Sequence, residues 1–171
     1  MTSIHIADTG AFVAVGQPAN RRYQALRKFA QRKKITFVIP ERVYGELTIT
    51  DAEIRTPPVD QAIEEQWTVV GESLDFTNPV VSRVMDGVQR YIASKEGRDE
   101  DTIEQADAAL ATLAAQKLDG EEVTDAYIYT TDIAAGTGAQ TILASEGYED
   151  SVAFVNAFEL IEDLVDDNLK R

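Results

Sequence analysis

"HIADTGAF", residues 5–12, sets an aspartate directly after a short apolar run and follows it with threonine and glycine. The run that ends there, "SIHIA" at residues 3–7, reads as a buried strand. In an open α/β sheet the functional crevice lies beyond the carboxyl ends of the strands, which is where Asp8 would stand. Aspartate is also favoured as a turn or helix-cap residue, so Asp8 alone does not separate the two readings. The rest of the chain has to be read with it.

Working outward, "NRRYQALRKFAQRKK" places Tyr23, Leu26, Phe29 and Ala30 at helical spacing, and "ITFVIP" is a second short strand ending at Pro40. A helix, "ERVYGELTIT", follows directly, and "QWTVVG" at 66–71 has the β-rich character of an edge strand. Val80, Val81, Val84, Val88 and Tyr91 mark the apolar face of a helix over about 79–95. A further helix is expected over 103–118, with Asp101 or Thr102 as N-cap and Glu104 or Gln105 as capping-box partner. "AYIYTTD", "GAQTILASEG", "VAFVN" and "AFELIEDLVDDNL" then read as strand, short helix, strand and closing helix. The expected fold class is α/β: a single domain over 1–171, with a doubly wound, mostly parallel five-stranded sheet flanked by helices. The segment at about 51–101 is the least regular and is expected to be a variable helical insertion. An aspartic protease also carries Asp-Thr-Gly, but it needs an all-β frame, and here helices follow Asp8.

Composition narrows the chemistry. The chain of 171 residues has no cysteine and one histidine, which excludes thiol nucleophiles, zinc ribbons and multi-histidine metal sites. His5 reads as a strand residue rather than a ligand. The start of the chain lacks the basic and long apolar stretches of a signal peptide, and no apolar run reaches membrane-spanning length, so a cytoplasmic protein is expected. Thirty acidic against sixteen basic residues give a formal charge of −14, which points to adaptation to high internal salt. Between Asp8 and Glu41 there is no acid, whereas Arg21, Arg22, Arg27, Lys28, Arg32, Lys33 and Lys34 lie there. That basic segment is either a phosphate-binding face or a solvated helix face.

Asp132 ends the fourth strand as Asp8 ends the first. If those strands are neighbours where the strand order reverses, their carboxylates share one crevice. Asp107 lies four residues after Ile103 and three before Leu110, on the inward face of its helix by spacing. A carboxylate there costs several kcal/mol unless it is paired, protonated or metal-bound, and no basic residue stands between Arg98 and Lys117. The alternative is a register that leaves it at the stripe's edge, in water. Glu46 flanks the apolar face of the helix after strand two, where it is either a further acid of the crevice or simply a good helix former. Four carboxylates sharing a crevice need a cation, and an all-oxygen donor set selects Mg²⁺ or Mn²⁺ over zinc. Such sites handle phosphates.

The order Asp8, Glu46, Asp107, Asp132, carried by "IADTGAFVAV", "VIPERVYGELT", "ADAALATLA" and "YTTDIAAG", resembles a PIN domain, and the likeness runs through "VNAFELIEDL" near the end of the chain. The resemblance implies a metal-dependent, single-strand-specific endoribonuclease using Mg²⁺ or Mn²⁺. By position it implies catalytic, metal-holding roles for Asp8, Glu46, Asp107 and Asp132, with Thr9 and Thr130 supporting them. It makes Arg21, Arg22, Arg27 and Lys28 candidate contacts to the RNA backbone. It further implies a toxin or an RNA-processing nuclease, with RNA as substrate, a cognate antitoxin as possible partner, and a possible homodimer through the apolar helices around 79–95.

Many members of the family carry a further acid three or four residues past the fourth one, where this chain has Ala135 and Gly136. A catalytically silent PIN-fold module that binds RNA or a protein is therefore the alternative. A phosphoryl-accepting domain fits less well. Gly10 stands where a phosphatase of the haloacid-dehalogenase type has its second acid, and Asn156 where a receiver has its lysine.

Overall fold

Five short apolar runs form the strands of one sheet in the computed structural model of the protein, which describes residues 2–16, 18–45, 58–103 and 105–169. They are β1 (Ser3–Ala7), β2 (Phe37–Ile39), β3 (Thr68–Val70), β4 (Asp125–Thr130) and β5 (Val152–Asn156), in the order β3-β2-β1-β4-β5. Every pairing is parallel, and β3 is an edge strand as its sequence suggested. Parallel neighbours need crossovers, and helices supply them. These are α1 (Thr9–Val15) and α2 (Arg21–Lys33) before β2, then α3 (Pro58–Glu64) before β3. Next come α4 (Pro79–Glu96) and α5 (Gln105–Asp119) before β4, α6 (Ile133–Ser145) before β5, and α7 (Ala157–Leu169) at the end. Residues 41–45, directly after β2, are also helical.

The period-two alternation of the strands divides their side chains between two cores. Ile4, Ile6, Ala126 and Ile128 pack with residues of α4, α5 and α6 on one face. Ala7, Phe37, Ile39 and Tyr129 pack with α1, α2 and α7 on the other. In this second core Trp67 is ringed by Phe12, Tyr23 and Phe37, with centroids 5.4–6.2 Å apart. His5 is a strand residue, stacked on Tyr127 at 4.8 Å and hydrogen-bonded through Nδ1 to the Tyr129 hydroxyl at 2.8 Å. Burial lowers its pKa below the ordinary histidine value.

Three expectations change. The helix expected at 138–147 begins at Ile133, because Asp132 caps it and its glycines are packing devices rather than breakers. A Cβ on Gly136 would meet the Phe154 ring at 2.6 Å, and one on Gly138 would meet Tyr91 at 2.8 Å. Helix α5 starts at Gln105, with Ile103 buried but extended outside it, and every residue from Ala108 to Ala115 is buried. A helix buried all round has no stripe from which to infer a face. Finally, the apolar face of α4 is core. Val84, Met85, Val88 and Ile92 pack against this chain's own α5 and α6, so that face is not free to receive a second copy.

Candidate active site

The strand order fixes where a site can form. From β1 the chain winds outward to β2 and β3, then returns to the opposite side of β1 as β4. The reversal falls between β1 and β4, and at such a point the crossover helices leave in opposite directions and open a crevice. Ala7 pairs with Tyr129, so Asp8 and Thr130 emerge side by side and Asp132 stands two residues further. The Asp8 amide still follows the ladder, donating to the Tyr129 carbonyl at 3.2 Å. Residues 124 positions apart in the chain thus meet because parallel register places them there.

Thr130 joins the two acids. It is fully buried, its hydroxyl donates to Asp8 Oδ2, and its Oγ1 accepts the Asp132 backbone N–H at 3.0 Å. Each aspartate also caps the helix that follows it. Asp8 Oδ1 accepts from the Ala11 amide at 3.0 Å, and Asp132 Oδ1 from the Ala135 amide at 3.1 Å. The two readings of a strand-end aspartate are therefore compatible: capping holds each carboxylate in one orientation and aims it into the crevice. Burial is the main influence on Asp8 and raises its pKa. The hydrogen bonds from Thr130 and Ala11 oppose this, and the nearby Asp132 charge adds to it. Among the described residues, the main influences on Asp8 include no cationic side chain.

The other expected residues are placed less centrally. Asp107 is half-buried in the first turn of α5. Among the described residues no three His, Cys, Asp or Glu side chains form a group able to hold a metal, so Asp107 does not make a trio with Asp8 and Asp132 here. Glu46 lies outside the described residues, and Thr9 is described by its backbone alone, as the first residue of α1. On α2, Arg22 pairs with Glu162 of α7 at 2.9 Å and Arg27 with Glu65 at 2.8 Å. Glu65 also accepts from the Tyr23 hydroxyl at 2.6 Å, so Arg27 is tied into a structural network. Arg21 and Lys28 are exposed.

Two features escaped sequence reasoning. Gly10 lies against the other acid's loop: a Cβ there would fall 2.0 Å from Thr131 Oγ1 and 3.3 Å from Asp8 Oδ1. Its signal was a glycine two residues beyond a strand-end acid, a place where backbones approach closely. The second is a cleft of about 200 Å³ beyond the carboxyl ends of β2 and β3, at the same edge of the sheet as the aspartates. Glu41, Arg42, Ser73 and Phe76 line it, and Ala109 and Leu113 of α5 form its wall. It is assembled from three separate segments, so no local pattern announces it.

No helix among the described residues is long and apolar enough to cross a membrane. No curated protein and no solved structure gives a significant match to the chain. The wholly parallel 3-2-1-4-5 sheet, with its strand-end aspartates at the reversal, is consistent with a PIN fold. A match to the family described as the halobacterial PIN domain extends over residues 1–169, and the chain belongs to that family.

Proposed function

We propose that the protein is an endoribonuclease dependent on Mg²⁺ or Mn²⁺ that hydrolyses RNA phosphodiesters at a site built on Asp8 and Asp132. PIN domains are typically nucleases and typically use divalent metals. The observation that carries the proposal for this chain is the pairing of Asp8 with Asp132 at the β1/β4 reversal, coupled through the buried Thr130 hydroxyl. The donor set fits a hard divalent cation. It is all oxygen, and burial together with the Asp132 charge makes the Asp8 carboxylate costly to ionise without a positive partner. Asp8 and Asp132 would hold the cation, with Glu46 as a further proposed ligand; Asp107, which does not gather with the two aspartates, would act on the attacking water from further out. When bound, the metal neutralises the phosphodiester and lowers the pKa of the attacking water. Thr130 keeps Asp8 in one orientation and fixes the turn that carries Asp132. Exposed Arg21 and Lys28 are the candidates on α2 for contacts to the RNA backbone, more than the ion-paired Arg22 and Arg27.

The test is cleavage of a mixed RNA pool in high potassium chloride with Mn²⁺, Mg²⁺ or EDTA, run on the native chain and on Asp8→Asn. Metal-dependent cleavage that is lost in the variant supports the proposal. Metal binding without cleavage favours the alternative, a silent PIN-fold module binding RNA or protein. One observation speaks for that alternative. Gly136 packs against the Phe154 ring, leaving no room for an acidic side chain there, and Ala135 is buried. Whether the chain acts as a toxin with an antitoxin partner or in RNA processing turns on the RNA that is cleaved.

A further inference from the structure

We propose that the cleft beyond β2 and β3 is a nucleotide subsite, in which a base of single-stranded RNA stacks on Phe76 while Arg42 meets its phosphate. The inference rests on the nuclease reading above and adds where, and by what forces, the strand is held. The cleft and the aspartates share one edge of a wholly parallel sheet, so their separation follows from strand spacing: two strands, about 10 Å. Ala109 links them, since it lines the cleft and packs in the core cluster that contains Ala7, the residue before Asp8.

The lining suits a base better than it suits a cation. Phe76 is 42% exposed, and its loop is tied by hydrogen bonds. The Ser82 hydroxyl donates to the Phe76 carbonyl at 2.7 Å, the Asp75 amide to Gln116 at 2.7 Å, and Asn78 to Asp119 at 2.9 Å. The two acids of the cleft already have donors: Glu41 accepts from Ser73 at 2.6 Å, and Glu72 pairs with Lys117 at 3.0 Å. Arg42 makes no ion pair with any described acid. A guanidinium with no ion-pair partner among the described residues, lining one cleft with an exposed aromatic ring, matches the phosphate and base of one nucleotide.

Salt gives the physical reason for relying on a ring. At the high salt to which a charge of −14 is suited, the Debye length is only a few ångströms, about 3 Å at 1 M. Phosphate contacts lose affinity steeply under those conditions, whereas stacking does not. The test is anisotropy of a labelled single-stranded RNA of about a dozen nucleotides, in EDTA to prevent cleavage, at 0.5 M and at 3 M potassium chloride. Cleavage by the native chain in Mn²⁺ is measured alongside. Phe76→Ala is expected to weaken binding at least about five-fold at both salt concentrations, with Phe76→Tyr restoring it and Phe76→Leu not. Arg42→Ala is expected to weaken binding at 0.5 M and much less at 3 M. If the native chain cleaves RNA while Phe76→Ala binds as tightly as native, or Phe76→Leu does, the subsite is overturned and the nuclease reading stands. A native chain that neither binds nor cleaves RNA overturns both.

Discussion

Replacing Thr130 by valine isolates the coupling between the two aspartates. Valine is close to isosteric, and Thr130 is fully buried in a strand, so packing and strand propensity are retained. What is lost is the hydroxyl. Its hydrogen bond to the charged Asp8 is worth roughly 1.5–3 kcal/mol, and the half-buried Asp132 amide left without its acceptor adds about 1 kcal/mol. The expected destabilisation is therefore roughly 2.5–4 kcal/mol, a drop in melting temperature of about 5–15 °C for a chain this long. Thr130→Ser keeps the hydroxyl and loses a methyl, for about 1 kcal/mol. The assay is denaturant and thermal unfolding in high potassium chloride with EDTA. The pH dependence has a definite sign. The Thr130 hydrogen bond lowers the Asp8 pKa, so removing it raises further a value already raised by burial. A raised carboxylate contributes stability that is complete below its unfolded pKa, near 3.8, and that is lost as pH rises through its folded pKa. The gap between native and Thr130→Val should accordingly be smallest near pH 3.5, where the lost acceptor of the Asp132 amide still costs about 1 kcal/mol, and largest at neutral pH. A valine variant within about 0.5 kcal/mol of native, or a serine variant as damaged as the valine one, would falsify the coupling.

The same sign argument predicts that Asp8→Asn melts higher than the native chain at neutral pH in EDTA, because it removes a buried charge, while its cleavage activity disappears. Adding Mn²⁺ should raise the melting temperature of the native chain and leave Asp8→Asn unchanged; equal shifts in both would remove Asp8 from the metal site. Gly10→Ala should cost about 1–3 kcal/mol, since the new Cβ meets Thr131 Oγ1 at 2.0 Å, and adding Thr131→Ala should recover part of that loss on unfolding curves. No recovery would mean that the Gly10 backbone, not the contact, is at fault. For Glu65, burial acts to raise the pKa, but the hydrogen bonds from Tyr23, Arg27 and Trp67 outweigh it and hold the carboxylate below its ordinary value. Stability from Glu65 should therefore be present above about pH 4.5 and fall as the pH drops below it, and Glu65→Gln should flatten that slope while costing about 1–3 kcal/mol at pH 7.

Much of the site was legible because its signals are local. Asp8 directly follows β1 and Asp132 comes two residues after β4, and capping chemistry is written within three residues of each. Asp107 was harder to place. Its face was inferred from Ile103, which is not in the helix, and from a stripe that does not exist in a helix whose residues Ala108 to Ala115 are all buried. The basic run on α2 was legible as charge but not by its partners. Its charges are visible in the sequence, but Glu65 and Glu162, which engage Arg27 and Arg22, lie 38 and 140 residues away. The helix expected from Gly138 runs through Gly136 as well, because the packing partners of these glycines, Phe154 and Tyr91, belong to other elements.

By itself the sequence determined the alternation of short apolar strands with helices, the acidic surface suited to high salt, the absence of thiol and multi-histidine chemistry, and the aspartates at two strand ends. Each of these is a property of composition or of a few consecutive residues, and hydrophobic burial and capping act at that range. Only the tertiary structure decided that β4 returns beside β1, that Thr130 bridges Asp8 and Asp132, that Gly10 admits Thr131, and that Arg42 and Phe76 face one cleft. These depend on which strands pair. In a parallel sheet that choice is made by crossovers and two buried faces spanning more than a hundred residues, beyond the range of any local pattern.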